Sequence, residues 1–167
     1  MRKRTSERAG RRRRAAGFTL TELLVVLFII GLLAGLILTG VMAARRKIGR
    51  DNTRNMITTI SGAIERYSSD WGDFPPGRGG LEGSEELFAA LRSERFEGPY
   101  LKGDFPPAKD TDNNKRKELV DHWGRPIGYT HHRNYTGEPR PDEYRLESPG
   151  LDGRRGTGDD IVNWKKK

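Results

Sequence analysis

The chain has no cysteine. Disulfides, thiolate metal sites and thiol catalysis are thereby excluded. No G-x-S-x-G setting surrounds any serine, so no nucleophile elbow is present. The glycine-rich stretch Gly77–Gly83 lacks the Lys and Ser/Thr that a phosphate loop requires. No proline falls between Phe18 and Phe74, and no charged side chain falls between Leu23 and Leu38. Acidic charge is scarce at the start: residues 1–16 hold eight Lys/Arg against one Glu, whereas the rest holds 23 basic against 22 acidic side chains. The net charge of +8 is therefore a property of the N-terminus. Because those cations directly precede an apolar run, they read as a cytoplasmic anchor obeying the positive-inside bias. Nucleic-acid binding through this basic segment is the disfavoured alternative.

What is present begins with that run. Leu23–Leu38 reads LLVVLFIIGLLAGLIL, and with Gly17–Glu22 and Thr39–Ala44 it is long enough to cross a hydrocarbon core of about 30 Å as a helix. A secretory signal peptide is usually shorter in its apolar part, roughly 7–15 residues, and Ala43-Ala44 here leads straight into Arg45, Arg46 and Lys47. Ile57, Ile60, Ile64, Tyr67 and Trp71 then recur at three- and four-residue steps, which predicts that the helix continues with one apolar face. From Phe18 to about Asp70 it would be ~80 Å long. Gly40, Gly49 and Gly62 are its soft points, and Phe74-Pro75-Pro76-Gly77 ends it.

The remainder is polar and turn-rich. Ser84 resembles an N-cap, with Glu85 and Glu86 in the first turn of a short helix reaching Ser93. Residues 102–118 show no period and read as a loop. Pro126–Thr130 and Glu143–Glu147 are the strand candidates. On a strand, adjacent His131 and His132 would point to opposite faces and could not easily share a metal ion, so an exposed strand edge is the favoured reading.

Glu22 is the anomaly of the N-terminus. A carboxylate at the edge of hydrocarbon costs several kcal/mol unless paired or protonated. Either it marks the interfacial start of the span and reaches water, or it has a cationic partner; the residue alone leaves both readings open. The string Gly17-Phe18-Thr19-Leu20-Thr21-Glu22, between a basic leader and an apolar run, resembles the processing site of type IV prepilins and of the pseudopilins of type II secretion. The resemblance implies cleavage by a prepilin peptidase between Gly17 and Phe18, N-methylation of Phe18 and a role for Glu22 in neutralising the N-terminal amine of a neighbouring subunit. The chain departs from many members in having Thr39-Gly40 where they carry a proline, so helix melting tied to that proline is not implied here.

The second string is Ser148-Pro149-Gly150-Leu151-Asp152 through Asp159-Asp160-Ile161-Val162-Asn163-Trp164. Asp and Gly favour turns in any case, and a solvated turn is the simpler reading. The alternative is a hard-cation site, since Ca²⁺ takes six to eight oxygens from carboxylates and bent-loop carbonyls. EF-hand spacing is absent from this string. The ending is similar to that of the major-pseudopilin family of type II secretion, which binds calcium there. The resemblance implies side-chain ligands at Asp152, Asp159 and Asp160, and carbonyl ligands near Pro149, Arg154 and Thr157. Asp121-His122-Trp123-Gly124 and Trp71-Gly72-Asp73-Phe74-Pro75 also resemble segments of that family, whereas residues 77–120 do not.

The expected architecture is α+β and pilin-like: a long N-terminal helix packed on a small antiparallel sheet. Its parts are a cleaved leader (1–17), a transmembrane helix (18–44), an amphipathic continuation (45–74) and a periplasmic head with a calcium loop (75–167). The expected function is structural, without catalysis: a pseudopilus subunit in the bacterial inner membrane, N-terminus cytoplasmic and head periplasmic. Its expected partners are itself, other pseudopilins, the inner-membrane assembly platform, the prepilin peptidase and the membrane. The competing functions are a type IV pilin, which commonly closes its C-terminal region with a Cys pair missing here, and a monomeric membrane-anchored calcium-binding domain.

Overall fold

The computed structural model describes residues 18–134 and 144–164. The leader, including Gly17, therefore lies outside the described residues, as does Glu143 of the second strand candidate.

Helix α1 runs Leu20–Trp71, 52 residues. The absence of proline lets it run, and Gly72 stops it: at φ 73° its N–H bonds the Ser68 carbonyl at 2.8 Å, a left-handed helix exit that suits glycine. The end falls at Trp71, three residues before the proposed 45–74 boundary, because Gly72 acts before the prolines do. By contact pattern the chain divides after Met42. In the first unit the large apolar side chains of α1, from Leu20 to Met42, are exposed. A helix apolar all round must be covered by lipid or by other helices, and this one is long and apolar enough to cross a membrane.

In the second unit α1 has one buried face. Thr53, Met56, Ile57, Ile60, Ala63, Ile64 and Tyr67 are buried at helical spacing, as the periodicity predicts. Trp71 is only half-covered, stacked on Tyr67 with ring centroids 5.3 Å apart. Helix α2, Gly80–Leu91, starts four residues earlier than the sequence suggests. Ser84 is therefore not its N-cap but a fully buried interior residue, and Gly79 takes the cap position without a side-chain bond. The reason lies at Gly83: a Cβ there would collide with the Tyr129 carbonyl, so α2 approaches the sheet where only glycine fits.

The stretch read as loop contains two short paired strands, β1 (Ala108–Lys109) and β2 (Glu118–Leu119). The main sheet is antiparallel and three-stranded: β3 (Gly128–Thr130), β4 (Arg145–Ser148) and β5 (Ile161–Val162), in the order β3-β4-β5, with Tyr129 opposite Leu146 and Ser148 opposite Ile161. Ile60 and Ile64 of α1, Leu87 and Leu91 of α2, and Leu119, Ile127, Tyr129, Leu146 and Ile161 form one core. Each such side chain contributes about 1.5–3 kcal/mol of burial. The Tyr129 hydroxyl donates to the Pro75 carbonyl at 2.7 Å, tying the segment after α1 to the sheet. The α+β architecture is as expected. His131 and His132 differ from expectation: β3 ends at Thr130 and a 3-10 turn follows at His132–Asn134, so strand alternation does not separate the two rings. Their centroids lie 4.1 Å apart.

Candidate functional site

At the N-terminus the chain builds a reciprocal cap. The Thr19 N–H and hydroxyl both donate to Glu22 Oε2 at 2.9 Å, and the Glu22 N–H donates to Thr19 Oγ1 at 3.2 Å. This is the capping box S/T-x-x-E, satisfying orphan donors of the first turn. The sequence carried the signal in Thr19-Leu20-Thr21-Glu22, but its physical meaning was hidden behind the anomaly of the charge. Phe18 is exposed beside this cap. Among the described residues Glu22 thus has local donors and no cation.

The C-terminal loop is organised around its acids. Asp159 accepts the Asp152 N–H at 2.9 Å through Oδ2, and Thr157 Oγ1 lies 2.6 Å from Oδ1. These bonds, the Thr157 hydroxyl first, hold the Asp159 carboxyl down at about 2. Asp160, 8% exposed, accepts the Gly156 N–H at 2.7 Å, and Asp152 accepts the Arg154 N–H at 2.8 Å. Gly150, Gly153 and Gly156 supply the left-handed turns the loop needs, at φ 61°, 75° and 83°. The carboxylates of Asp152, Asp159 and Asp160 do not place one oxygen each within 4.8 Å of one another; among the described residues that proximity occurs at Asp73, His131 and His132. The donor chemistry of the loop nonetheless fits a hard cation: carboxylates, a hydroxyl and backbone carbonyls, with no nitrogen or sulfur ligand. Pro149, whose carbonyl is one expected ligand, is buried at the loop's entrance.

The loop is moored by a residue that the sequence marks only as part of the Asp121-His122-Trp123-Gly124 string, without a role. Asp121, 2% exposed, accepts the N–H groups of Trp123 and Arg125 at 2.9 Å through Oδ1 and the Ser148 hydroxyl at 2.7 Å through Oδ2. Ser148 Oγ in turn accepts the Gly150 N–H at 3.2 Å, and Arg125 donates to the Gly150 carbonyl. The same segment touches α1, where the His122 N–H donates to Thr53 Oγ1 at 3.2 Å. Beyond the loop, Asn163 Oδ1 accepts the Leu146 N–H of β4 at 2.8 Å and Nδ2 donates to the Tyr144 carbonyl just ahead of β4 at 3.2 Å. The Arg145 guanidinium lies 4.9 Å over the Trp164 ring. A buried acid placed two residues before a tryptophan in a turn was the available signal for Asp121.

Residues 12–38 match the prokaryotic N-terminal methylation motif, which defines the class: a chain in which this motif runs into an apolar, membrane-length helix. Residues 40–164 match type II secretion system protein G, and the chain belongs to that family. It is 30% identical over 157 residues to type II secretion system core protein G of Aeromonas hydrophila, covering 93% of this chain and 96% of that one. Similar relatives of the same name occur in Escherichia coli (31%, 90% and 94%) and Pseudomonas aeruginosa (32%, 92% and 97%). No solved structure matches it significantly. The chain is accordingly a structural pseudopilin of type II secretion, not an enzyme.

Proposed function

We propose that the chain is cut between Gly17 and Phe18 by a prepilin peptidase, N-methylated at Phe18, and assembled with copies of itself and with other pseudopilins on an inner-membrane platform, its head in the periplasm. The observation that carries this is the exposed apolar first unit of α1, headed by Phe18 and Glu22 and preceded by a basic leader. Such a helix is satisfied by lipid before assembly and by neighbouring helices afterwards. In the assembled filament Glu22 exchanges its Thr19 donors for the N-terminal amine of a neighbour, each charge offsetting the other's burial. The basic leader sets the N-terminus on the cytoplasmic side.

In this reading the C-terminal loop takes Ca²⁺ through Asp152, Asp159 and Asp160, with carbonyls of Pro149, Arg154 and Thr157. The adjacent Asp159 and Asp160 carboxylates repel one another, and a divalent cation relieves that repulsion. Asp152, exposed at the rim of the loop, swings inward to complete the set. Asp121 and Ser148 hold the loop's entrance fixed while it does so.

Intact mass and N-terminal sequencing of protein recovered from membranes test the processing. The expected product begins at N-methyl-Phe18 and has 150 residues. Intact Met1, or a cut after Ala43 or Ala44, would refute it.

A further inference from the structure

Away from both sites, three side chains meet where α1 gives way to the head. Asp73 follows the Gly72 exit, His131 follows β3, and His132 opens the 3-10 turn. One ligand atom from each lies within 4.8 Å of the other two. His131 Nε2 is 3.3 Å from Asp73 Oδ1, and His131 itself is 7% exposed. His132 Nδ1 is buried and has no hydrogen-bond partner. A cleft of about 460 Å³, lined by Asp73, Phe74, Pro76, His131, Arg133 and Asn134 among others, reaches Asp73 and His131, with His132 outside its lining.

We propose that Asp73, His131 and His132 bind a divalent transition-metal ion of the zinc class, clamping the exit of α1 to the end of β3. Two imidazoles and a carboxylate suit borderline cations, whereas calcium and magnesium prefer all-oxygen sets. Two nitrogen or oxygen ligands at about 2.0–2.2 Å from one ion stand roughly 3–4 Å apart, so the three atoms need only a small inward movement. Water from the cleft takes the remaining positions.

The surroundings explain the rest of the group. Arg133 Nη2 holds Asp73 Oδ2 at 2.9 Å and the Phe74 N–H donates to Oδ1 at 2.9 Å, which fixes the carboxylate as outer-shell donors do and leaves the second lone pair of Oδ1, on the His131 side, for the ion. Binding at His131 Nε2 puts the ring proton on Nδ1, which now accepts the Arg133 N–H at 3.2 Å. That long bond opens when the ion enters. The ion pair between Asp73 and Arg133 and the contact with His131 account for Asp73 without a metal, but they leave His132 Nδ1 buried and unsatisfied. The chain's low background makes the site testable: it has three histidines and no cysteine.

The test uses the full chain in detergent, without a polyhistidine tag and stripped of metal by chelator. Zinc is titrated by calorimetry and by melting temperature, and cobalt by its visible absorption. One saturable zinc per chain is expected, with a melting temperature that climbs as the logarithm of free zinc. His132→Ala should abolish the zinc-dependent shift, read against the variant's own metal-free melting temperature, which falls because the ring packs on His131 and Phe74. Asp73→Asn, of the same shape, should weaken zinc by about tenfold or more. His122→Ala and Asp160→Ala should bind as the parent does, which separates this site from a calcium response of the C-terminal loop. No saturable zinc binding by the parent would overturn the proposal. So would equal binding by the parent, His132→Ala and Asp73→Asn, which would leave the two imidazoles as packing against Phe74.

Discussion

The two roles of Glu22 can be separated by one methyl-sized choice of substitution. Glu22→Ala removes the acceptor of the Thr19 N–H and hydroxyl, a cap worth about 1 kcal/mol. If the proposed pairing holds, it also strands a neighbour's buried amine in the filament, which costs about 3–5 kcal/mol. Glu22→Gln keeps the capping box, since an amide oxygen serves at that position, and removes only the charge. If the charge governs assembly, Gln should fail almost as badly as Ala. At 1.4 kcal/mol per factor of ten, subunit association should weaken by about two to three and a half powers of ten in either variant. Helicity in micelles should fall slightly for Ala and stay unchanged for Gln. The assay is recovery of sheared or cross-linked filaments from cells making equal amounts of each membrane-inserted variant. Filaments from Glu22→Gln at parental yield, with loss confined to Glu22→Ala, would refute the charge pairing and leave Glu22 as a helix cap.

Three further outcomes follow from the head. Gly83→Ala should destabilise it by about 1–3 kcal/mol through overpacking against the Tyr129 carbonyl, read as a lower denaturation midpoint with an unchanged slope. Tyr129→Phe should cost about 1–3 kcal/mol by leaving the buried Pro75 carbonyl unpaired, read by thermal melting. Calcium should raise the melting temperature of the full chain in detergent, and Asp160→Ala should lose that rise whereas Glu94→Ala, an exposed acid at the end of α2, should keep it; equal melting of the parent with calcium and with chelator would defeat the calcium reading.

Long-range periodicity was the most legible part of the sequence. The apolar run and the Ile57–Tyr67 stripe specify α1 almost without tertiary help, because a helix needs only local consistency. Strand positions near Thr130 and Glu147 were also visible. Short elements were not. β1 and β2 have two residues each and exist only because they pair, so neither carries a period of its own. Ser84 looked like a cap since Ser followed by two Glu is a local signature, but the close approach of Gly83 to β3 is a tertiary fact that moved the helix start upstream. His131 and His132 were misplaced for a similar reason: the strand ends at Thr130 and the 3-10 turn after it, rather than strand alternation, sets which way both rings face. The acids of the C-terminal loop were legible as a group, and Asp121 as part of a string, whereas its mooring of the loop through Ser148, 27 residues downstream, shows only in three dimensions.

A glycine within a helix is ordinarily a place where the helix gives way. At Gly49 the vacancy is filled from outside: an added Cβ would lie 2.6 Å from Trp123 Cζ2 and 3.0 Å from His122 Cδ2. The indole sits in the notch like a key in a socket, and the freedom that the missing side chain grants the backbone is used up by a residue seventy-four positions later. Gly31, Gly35, Gly40 and Gly62 have no such lid, with nothing within 4 Å of their Cβ positions. Compliance in α1 therefore belongs to those four glycines. Gly49 behaves as a mechanical fixture, the point at which bending the helix would first have to pull an aromatic ring out of its seat.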